Sequence, residues 1–233
     1  MADLKILPKN LIQLYRQLSD KLKGTDDDYH YNLGVNGLNE ICLTDFGTNT
    51  TIKGPERIKS VLEFLIANVG STFTDYTDSY FHSIAEICTG YENCRKARQD
   101  EKDALMKADD WDGVKAWNER EKQFPYPFSA GYMTAYRAWQ GSRENDSRTS
   151  GEPVFEVSNL PWDKEAYDFV ACLKEACVTE FAITDQSTAL MQLLHILEDE
   201  GCKLKCLCKV TRSECRFGRD NTETYDGILM EIS

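Results

Sequence analysis

The sequence predicts an α+β fold: a helical N-terminal region followed by a small β-α-β-α-β-β domain. Three observations carry that expectation. Apolar residues recur at helical spacing from Leu11 to Trp139. The stretch "GSRENDSRTSGE", Gly141 to Glu152, is polar and has no period of its own. Beyond it, short apolar runs alternate with helical stripes, and the last two runs flank the turn "FGRDN". The expected division is therefore residues 1–145, mostly α-helical, and residues 152–233, an α/β sandwich domain with a C-terminal β-hairpin.

Each element has its own reason. In "PKNLIQLYRQLSDKLKG", Leu11, Leu14, Tyr15, Leu18 and Leu22 form one stripe, with Pro8 placed to start a helix and Gly24 to end it. Ile58, Val61, Leu62, Leu65, Ile66 and Val69 repeat the pattern between Pro55 and Gly70, apolar enough for a deep core. The helical pattern continues from Asp75 to about Lys122, apolar at Tyr80, Ile84, Ile87 and Cys88 and then rich in charge, as a solvated helix is. Ser129 is placed to cap a helix bearing Tyr132, Tyr136 and Trp139. No strand is expected before the polar boundary. After it, "PVFEV" and "EFAIT" read as strands, and "WDKEAYDFVACLKEAC" and "DQSTALMQLLHILEDEG" as helices, the second stopped by Gly201.

Composition bounds the function. With 41% hydrophobic and 28% charged residues, the chain reads as a globular protein with no apolar window long enough to cross a bilayer. The start "MADLKILPKN" lacks the apolar core of a secretory signal, and nine cysteines without CxxC spacing fit a reducing compartment, so the expected location is cytoplasmic. The net charge of −12 argues against non-specific attachment to nucleic acid or anionic membranes. That charge is uneven: between Glu152 and Glu200 the acids face only Lys164 and Lys174, and then the sign flips.

The flip occurs in "CKLKCLCKVTRSECRFG". Counting by twos gives Cys202, Leu204, Cys206, Cys208 and Val210, the pattern of a strand with one buried face, which makes the cysteines core residues. Zinc would need a fourth ligand, and Cys215 has the wrong parity. The other side carries Lys203, Lys205 and Lys209, continued by Arg212, Arg216 and Arg219. These cations guard an edge strand and pair with nearby acids, or they dock on phosphate or an acidic partner.

The β-α-β-α-β-β order from Glu152 to Ser233 is similar to the Alba family and to the C-terminal domain of bacterial translation initiation factor three. That resemblance implies contact with RNA or DNA through the final hairpin. The segment "EFAITDQSTALMQLLHILEDEGCKL" resembles uncharacterised accessory proteins from mobile elements of Gram-positive bacteria. It implies a small cytosolic protein serving such an element, a type that includes acidic inhibitors of host defence.

Other patterns give weaker candidates. "ADDWDGVKAWNE" places Asp110, Asp112, Gly113 and Glu119 at calcium-loop positions, but Ala108 replaces the first carboxylate and Lys115 an apolar residue, so the expectation is a surface break between helices. Asp26, Asp28 and His30 alternate in "TDDDYHYN" and, if extended, would aim at one metal, the basis of a metal-dependent enzyme. Thr184, Asp185, Ser187 and Thr188 lie where α/β folds bind anions, yet they suit a helix cap, and Asp185 would repel phosphate. No GxSxG, P-loop or GxGxxG occurs, and His30, His82 and His195 sit in no nucleophile signature.

The aromatic segment remains: Trp111, Trp117, Phe124, Tyr126, Phe128, Tyr132, Tyr136 and Trp139. Aromatics of this kind fill cores and also concentrate at protein interfaces. The expected function is therefore a non-enzymatic binding protein, an interaction, inhibitor or accessory factor with no cofactor, no metal and no membrane. Its partner surface is Trp111, Trp117, Tyr126, Phe128, Tyr132, Tyr136 and Trp139. Nucleic-acid binding through Lys203, Lys205, Lys209, Arg212, Arg216 and Arg219 is the first alternative, and the Asp26/Asp28/His30 enzyme the second.

Overall fold

The structure, a computed structural model, describes residues 7–162, 164–216 and 219–232; the side chains of 189 and 214–221 lie outside that description. Among the described residues it is mixed α and β, with helices preceding a C-terminal domain built on a sheet. The elements are α1 (Lys9–Leu22), β1 (Tyr31–Val35), β2 (Ile41–Asp45), β3 (Thr50–Lys53), α2 (Pro55–Ala67), α3 (Phe73–Lys107), α4 (Trp111–Glu121) and α5 (Ala130–Glu144). There follow β4 (Arg148–Thr149), β5 (Glu152–Pro153), β6 (Glu156–Val157), α6 (Glu165–Glu175), β7 (Glu180–Ile183), α7 (Ala189–Asp199), β8 (Cys202–Arg216) and β9 (Arg219–Ile232). From β6 onward the order is β-α-β-α-β-β, as the periodicity predicts.

The N-terminal region is not all helix. β1, β2 and β3 form an antiparallel sheet between α1 and α2, and its apolar residues Leu33, Leu43 and Ile52 bury against Leu11, Leu18, Ile58 and Leu62. These strands are short, and Cys42 and Leu43 are buried side by side in β2, so their period barely shows. The turn between β1 and β2 is set by Asn36, whose side-chain oxygen accepts from the backbone N–H of Leu38 and Glu40. Asp45 is buried at the next turn, where it accepts from the Gly47 N–H and the Thr48 hydroxyl.

Helix α3 begins at a capping box: Asp75 N–H donates to the Thr72 hydroxyl, and the Asp75 carboxylate accepts from Thr72 N–H at 2.7 Å. Pro55 opens α2 as expected, whereas Ser129 stands at the N-cap of α5 without a side-chain cap bond. The polar stretch Gly141 to Glu152 is no linker. It ends α5, and its Arg148–Thr149 segment joins the sheet as β4. Phe81 and Ile84 of α3, Ala135 and Trp139 of α5, and Phe169, Leu173, Leu193 and Leu197 of α6 and α7 share one core with one face of that sheet. The helices before residue 145 and the domain after it thus bury each other's apolar surface.

The helices α5 and α6 cross closely because Gly131 has no side chain. A Cβ there would lie 2.2 Å from the Glu165 carbonyl oxygen, a backbone atom that cannot swing away. Gly131→Ala is expected to cost about 1–3 kcal/mol as the helices separate, despite alanine's better helix propensity, read as a lowered urea midpoint.

"PVFEV" is not one strand. The sheet order is β5-β4-β8-β9-β7-β6, so β5 and β6 occupy opposite edges although only Val154 and Phe155 separate them. Val154 N–H donates to Ser147 and the Phe155 carbonyl accepts from Ala182. The sheet therefore curls until its two edges are joined by the chain itself. Its outer face carries the helices, and its inner face holds Val154, Ala182, Cys208, Val210 and Leu229.

Candidate functional site

The interior of the curled sheet contains a charge. Glu156 is buried, and its carboxylate accepts from Arg212 Nε at 2.9 and 3.0 Å, from the Ser147 hydroxyl at 2.6 Å and from the Thr184 hydroxyl at 2.6 Å. The Arg212 guanidinium lies over the Tyr225 ring at 4.1 Å. Burial pushes the Glu156 carboxyl up, but the bonds from Arg212, Ser147 and Thr184 outweigh it and hold the group below its ordinary value. With every oxygen engaged, this network organises the sheet and leaves no group free to act on a substrate.

The mouth of the curled sheet opens into a groove of about 710 Å³ where the β2–β3 turn, the start of α3, the end of α5 and the β4–β5 hairpin meet. Phe73, Trp139, Phe155, Val178 and Leu229 give it an apolar floor, and the Arg143–Asp78 pair stands on its rim. Cys177 also lines it, in a left-handed conformation (φ 57°) at the end of α6, where Val178 N–H bonds back to Leu173. Burial pushes that thiol up, against the pull of Arg57, so it is held as the neutral, unreactive form. Nothing in the sequence pointed to this groove, because it is lined from elements far apart in the chain.

The expected cationic ribbon is divided. Arg212 is consumed inside the sheet, Lys205 pairs with Glu180, and Lys209 pairs with Asp226 at 2.7 Å. Lys203 adds only the smallest contribution to the lowering of Glu40, behind hydrogen bonds from Asn36 and Lys53. The side chains of Arg216 and Arg219 lie outside the described residues, although the two residues pair across the hairpin. The one-sided burial of Cys202, Leu204, Cys206, Cys208 and Val210 also fails. A bulge between Leu204 and Cys206 resets the alternation: Cys202 and Val210 are buried, Cys208 is half-buried, and Leu204 and Cys206 are exposed.

Asp26, Asp28 and His30 do not converge in an extended strand. The segment folds into successive turns: Asp28 accepts from Gly24 N–H, and the acid beside His30 is Asp27, at 3.2 Å. In the calcium-like stretch, Asp110 caps α4 by accepting from Gly113 N–H at 2.9 Å, Asp112 pairs with Lys115, and Glu119 with Lys122. The break between helices expected there is present, at Ala108 to Asp110. No group of three or more metal-ligating side chains occurs among the described residues. Thr184 turns into the Glu156 network, Asp185 accepts from Ser187 N–H, and the α7 N-cap, Thr188, makes no side-chain cap bond.

The aromatic segment also separates into two sets. Trp139 is buried, with its indole N–H on Asp78 at 2.9 Å and its ring stacked on Phe81 at 5.4 Å. Tyr132 donates to Glu175, as does Tyr80, while Phe128 and Tyr136 pack against the same core. Trp117 is buried between α3 and α4, where its N–H donates to the Arg98 carbonyl. Only Trp111, Phe124 and Tyr126, at 61%, 48% and 39% exposure, are offered to solvent.

These three belong to an arm. The distal part of α3, the whole of α4 and the loop after it contribute nothing to the three buried clusters: no residue from 89 to 127 takes part in them. The arm is nevertheless built firmly. Arg98 makes two bonds to Glu121, at 2.7 and 3.1 Å, and stacks on Phe124 at 4.6 Å; Lys102 covers Trp117 and Arg120 reaches Glu101. Tyr91 closes its base, donating to the Phe124 carbonyl and meeting Tyr126 edge-on at 4.9 Å.

Residues 134–232 match a family model described as a domain of unknown function, DUF7698. The match starts within α5 and runs to the end of β9, so it spans the curled sheet with its helices and leaves out the arm and the N-terminal sheet. No curated protein and no solved structure matches the chain. No helix among the described residues is long and apolar enough to cross a membrane.

Proposed function

We propose that this chain is a non-enzymatic binding protein whose docking element for a protein partner is the α3–α4 arm. One observation carries the reading: a stiff helical hairpin that neither core needs presents Trp111, Phe124 and Tyr126 to solvent. A single chain gains no stability from exposing large aromatics, whereas interfaces concentrate them. With α3 about 50 Å long at 1.5 Å per residue, its far end stands clear of the body and can enter a partner's groove. An inhibitor or accessory factor of a bacterial mobile element is the setting that the resemblance of the Glu180 to Leu204 segment brings to this proposal.

The rivals draw less support. Nucleic-acid binding would have to use a ribbon in which Arg212 is half-buried on Glu156 and two lysines already hold acids. The metal-dependent enzyme would need Asp26 and Asp28 brought to His30 from separate turns.

The test is quantitative capture on immobilised protein from cells that make it, comparing wild type with Trp111→Ala/Tyr126→Ala. A protein retained by the wild type is expected to be depleted at least tenfold by the double variant, whose thermal midpoint falls by only a few degrees, since the lost edge contact of Tyr126 with Tyr91 is worth about 0.5–1.5 kcal/mol. Identical capture by both would remove the arm from the function.

A further inference from the structure

Strand β8 is paired with β9 along its length, but on its other side β4 reaches only Val210 and Thr211. From Cys202 to Lys209 no second strand lies beside it among the described residues. Exposed edges are normally kept free of apolar side chains, and lysines here do part of that guarding. Leu204 and Leu207 do the opposite, at 62% and 79% exposure.

The bulge gives these leucines a common direction. Leu204 lies opposite Met230 and Leu207 opposite Ile228, two β9 residues that share one face, so both leucines stand on that face although three positions apart. We propose that this edge pairs with the same edge of a second copy, antiparallel, about a two-fold axis between Lys205 and Cys206. Each Leu204 then meets Leu207 of the other copy, and the contact occurs twice, as a two-fold interface requires.

Facing favours this register over its neighbours. Lys203 comes opposite Cys208 and Lys205 opposite Cys206, and no lysine opposes a lysine. An axis through Cys206 would set Lys203, on the Glu231 face, against Lys209, on the Asp226 face, and one through Lys205 would set Leu204 against Cys206, likewise on opposite faces, although residues opposed in an antiparallel pair share a face. Lys205, nearest the axis, carries its counter-ion from Glu180 of its own chain, and Lys209 has Asp226. The neighbouring registers therefore fail on facing, and the pairing centred between Lys205 and Cys206 remains.

Sedimentation equilibrium of the full chain from about 1 to 200 µM tests this, because so small an interface dissociates in the micromolar range. The expected result is a reversible monomer–dimer equilibrium. Leu204→Lys and Leu207→Lys should each raise the dissociation constant at least about tenfold without moving the thermal midpoint, since both side chains are exposed in the single chain. In a Cys94→Ser background, which removes the other exposed thiol among the described residues, a short bis-maleimide should join two copies, and Cys206→Ser should abolish the product. A monomer throughout the range would overturn the proposal, as would a dimer indifferent to both leucine substitutions or a cross-link that survives Cys206→Ser.

Discussion

Arg212→Ala is expected to remove about 3–5 kcal/mol of stability, because it leaves the buried Glu156 carboxylate without its cation. For a chain of this size that lowers the thermal midpoint by about 6–20 °C. The pH dependence gives the claim its sign. In the wild type Glu156 is held below its ordinary value, so its contribution is present above about pH 4.5 and is lost as pH falls through the folded-state value. Without Arg212 the desolvation of the carboxyl stands unopposed and raises it, so protonation relieves the variant. Urea unfolding at pH 7 and pH 4 should therefore show the gap between the proteins shrinking on acidification. A gap of equal size at both pH values would mean that Arg212 acts through packing on Tyr225 alone. Replacing the pair together, Arg212→Met with Glu156→Leu, should recover only part of the loss, since the buried Ser147 and Thr184 hydroxyls then lose their acceptor.

That network marks the limit of what the sequence made legible. Helical stripes such as Leu11–Leu18–Leu22 and Phe169–Leu173 were readable because burial on one face writes a period into the chain. The strands β1 to β3 were not, since four or five residues with one to three buried positions, two of them adjacent in β2, leave almost no period. Asn36-Gly37 was the available signal, a hairpin dipeptide that the structure uses as a turn. Glu156 gave no sign of being buried either. In sequence it is one more acid in an acidic stretch, and only the curl of the sheet brings it to Arg212 from 56 positions away.

The candidate site failed to show itself for a related reason. Alternation along β8 predicted one buried cysteine face, and a single extra residue at the bulge sets Cys206, Cys208 and Val210 on the face opposite to Cys202 and Leu204, with Leu204 and Cys206 both exposed. Likewise, aromatic residues within one short span looked like one surface. Sequence distance measures how close they lie along the chain, while the turn of α5 and the break before α4 decide which way each ring points.

Trp139→Ala against Trp111→Ala is the sharpest test of that separation. Trp139 loses a stack on Phe81, an edge contact with His82 at 5.0 Å and the bond to Asp78, so its replacement is expected to cost about 3–5 kcal/mol. It also frees Asp78, which keeps Arg143 as its remaining partner. Trp111 covers no core residue and should change stability by no more than about 0.5 kcal/mol. Under the arm reading, partner capture moves the other way: lost in Trp111→Ala, and retained by Trp139→Ala at temperatures where that variant is still folded. Urea unfolding and capture on the same preparations give all four values. If Trp139→Ala were as stable as the wild type, the shared core of α3, α5 and the curled sheet would be wrongly drawn. If it lost capture while folded, the docking surface would lie at the groove that Trp139 floors and not on the arm.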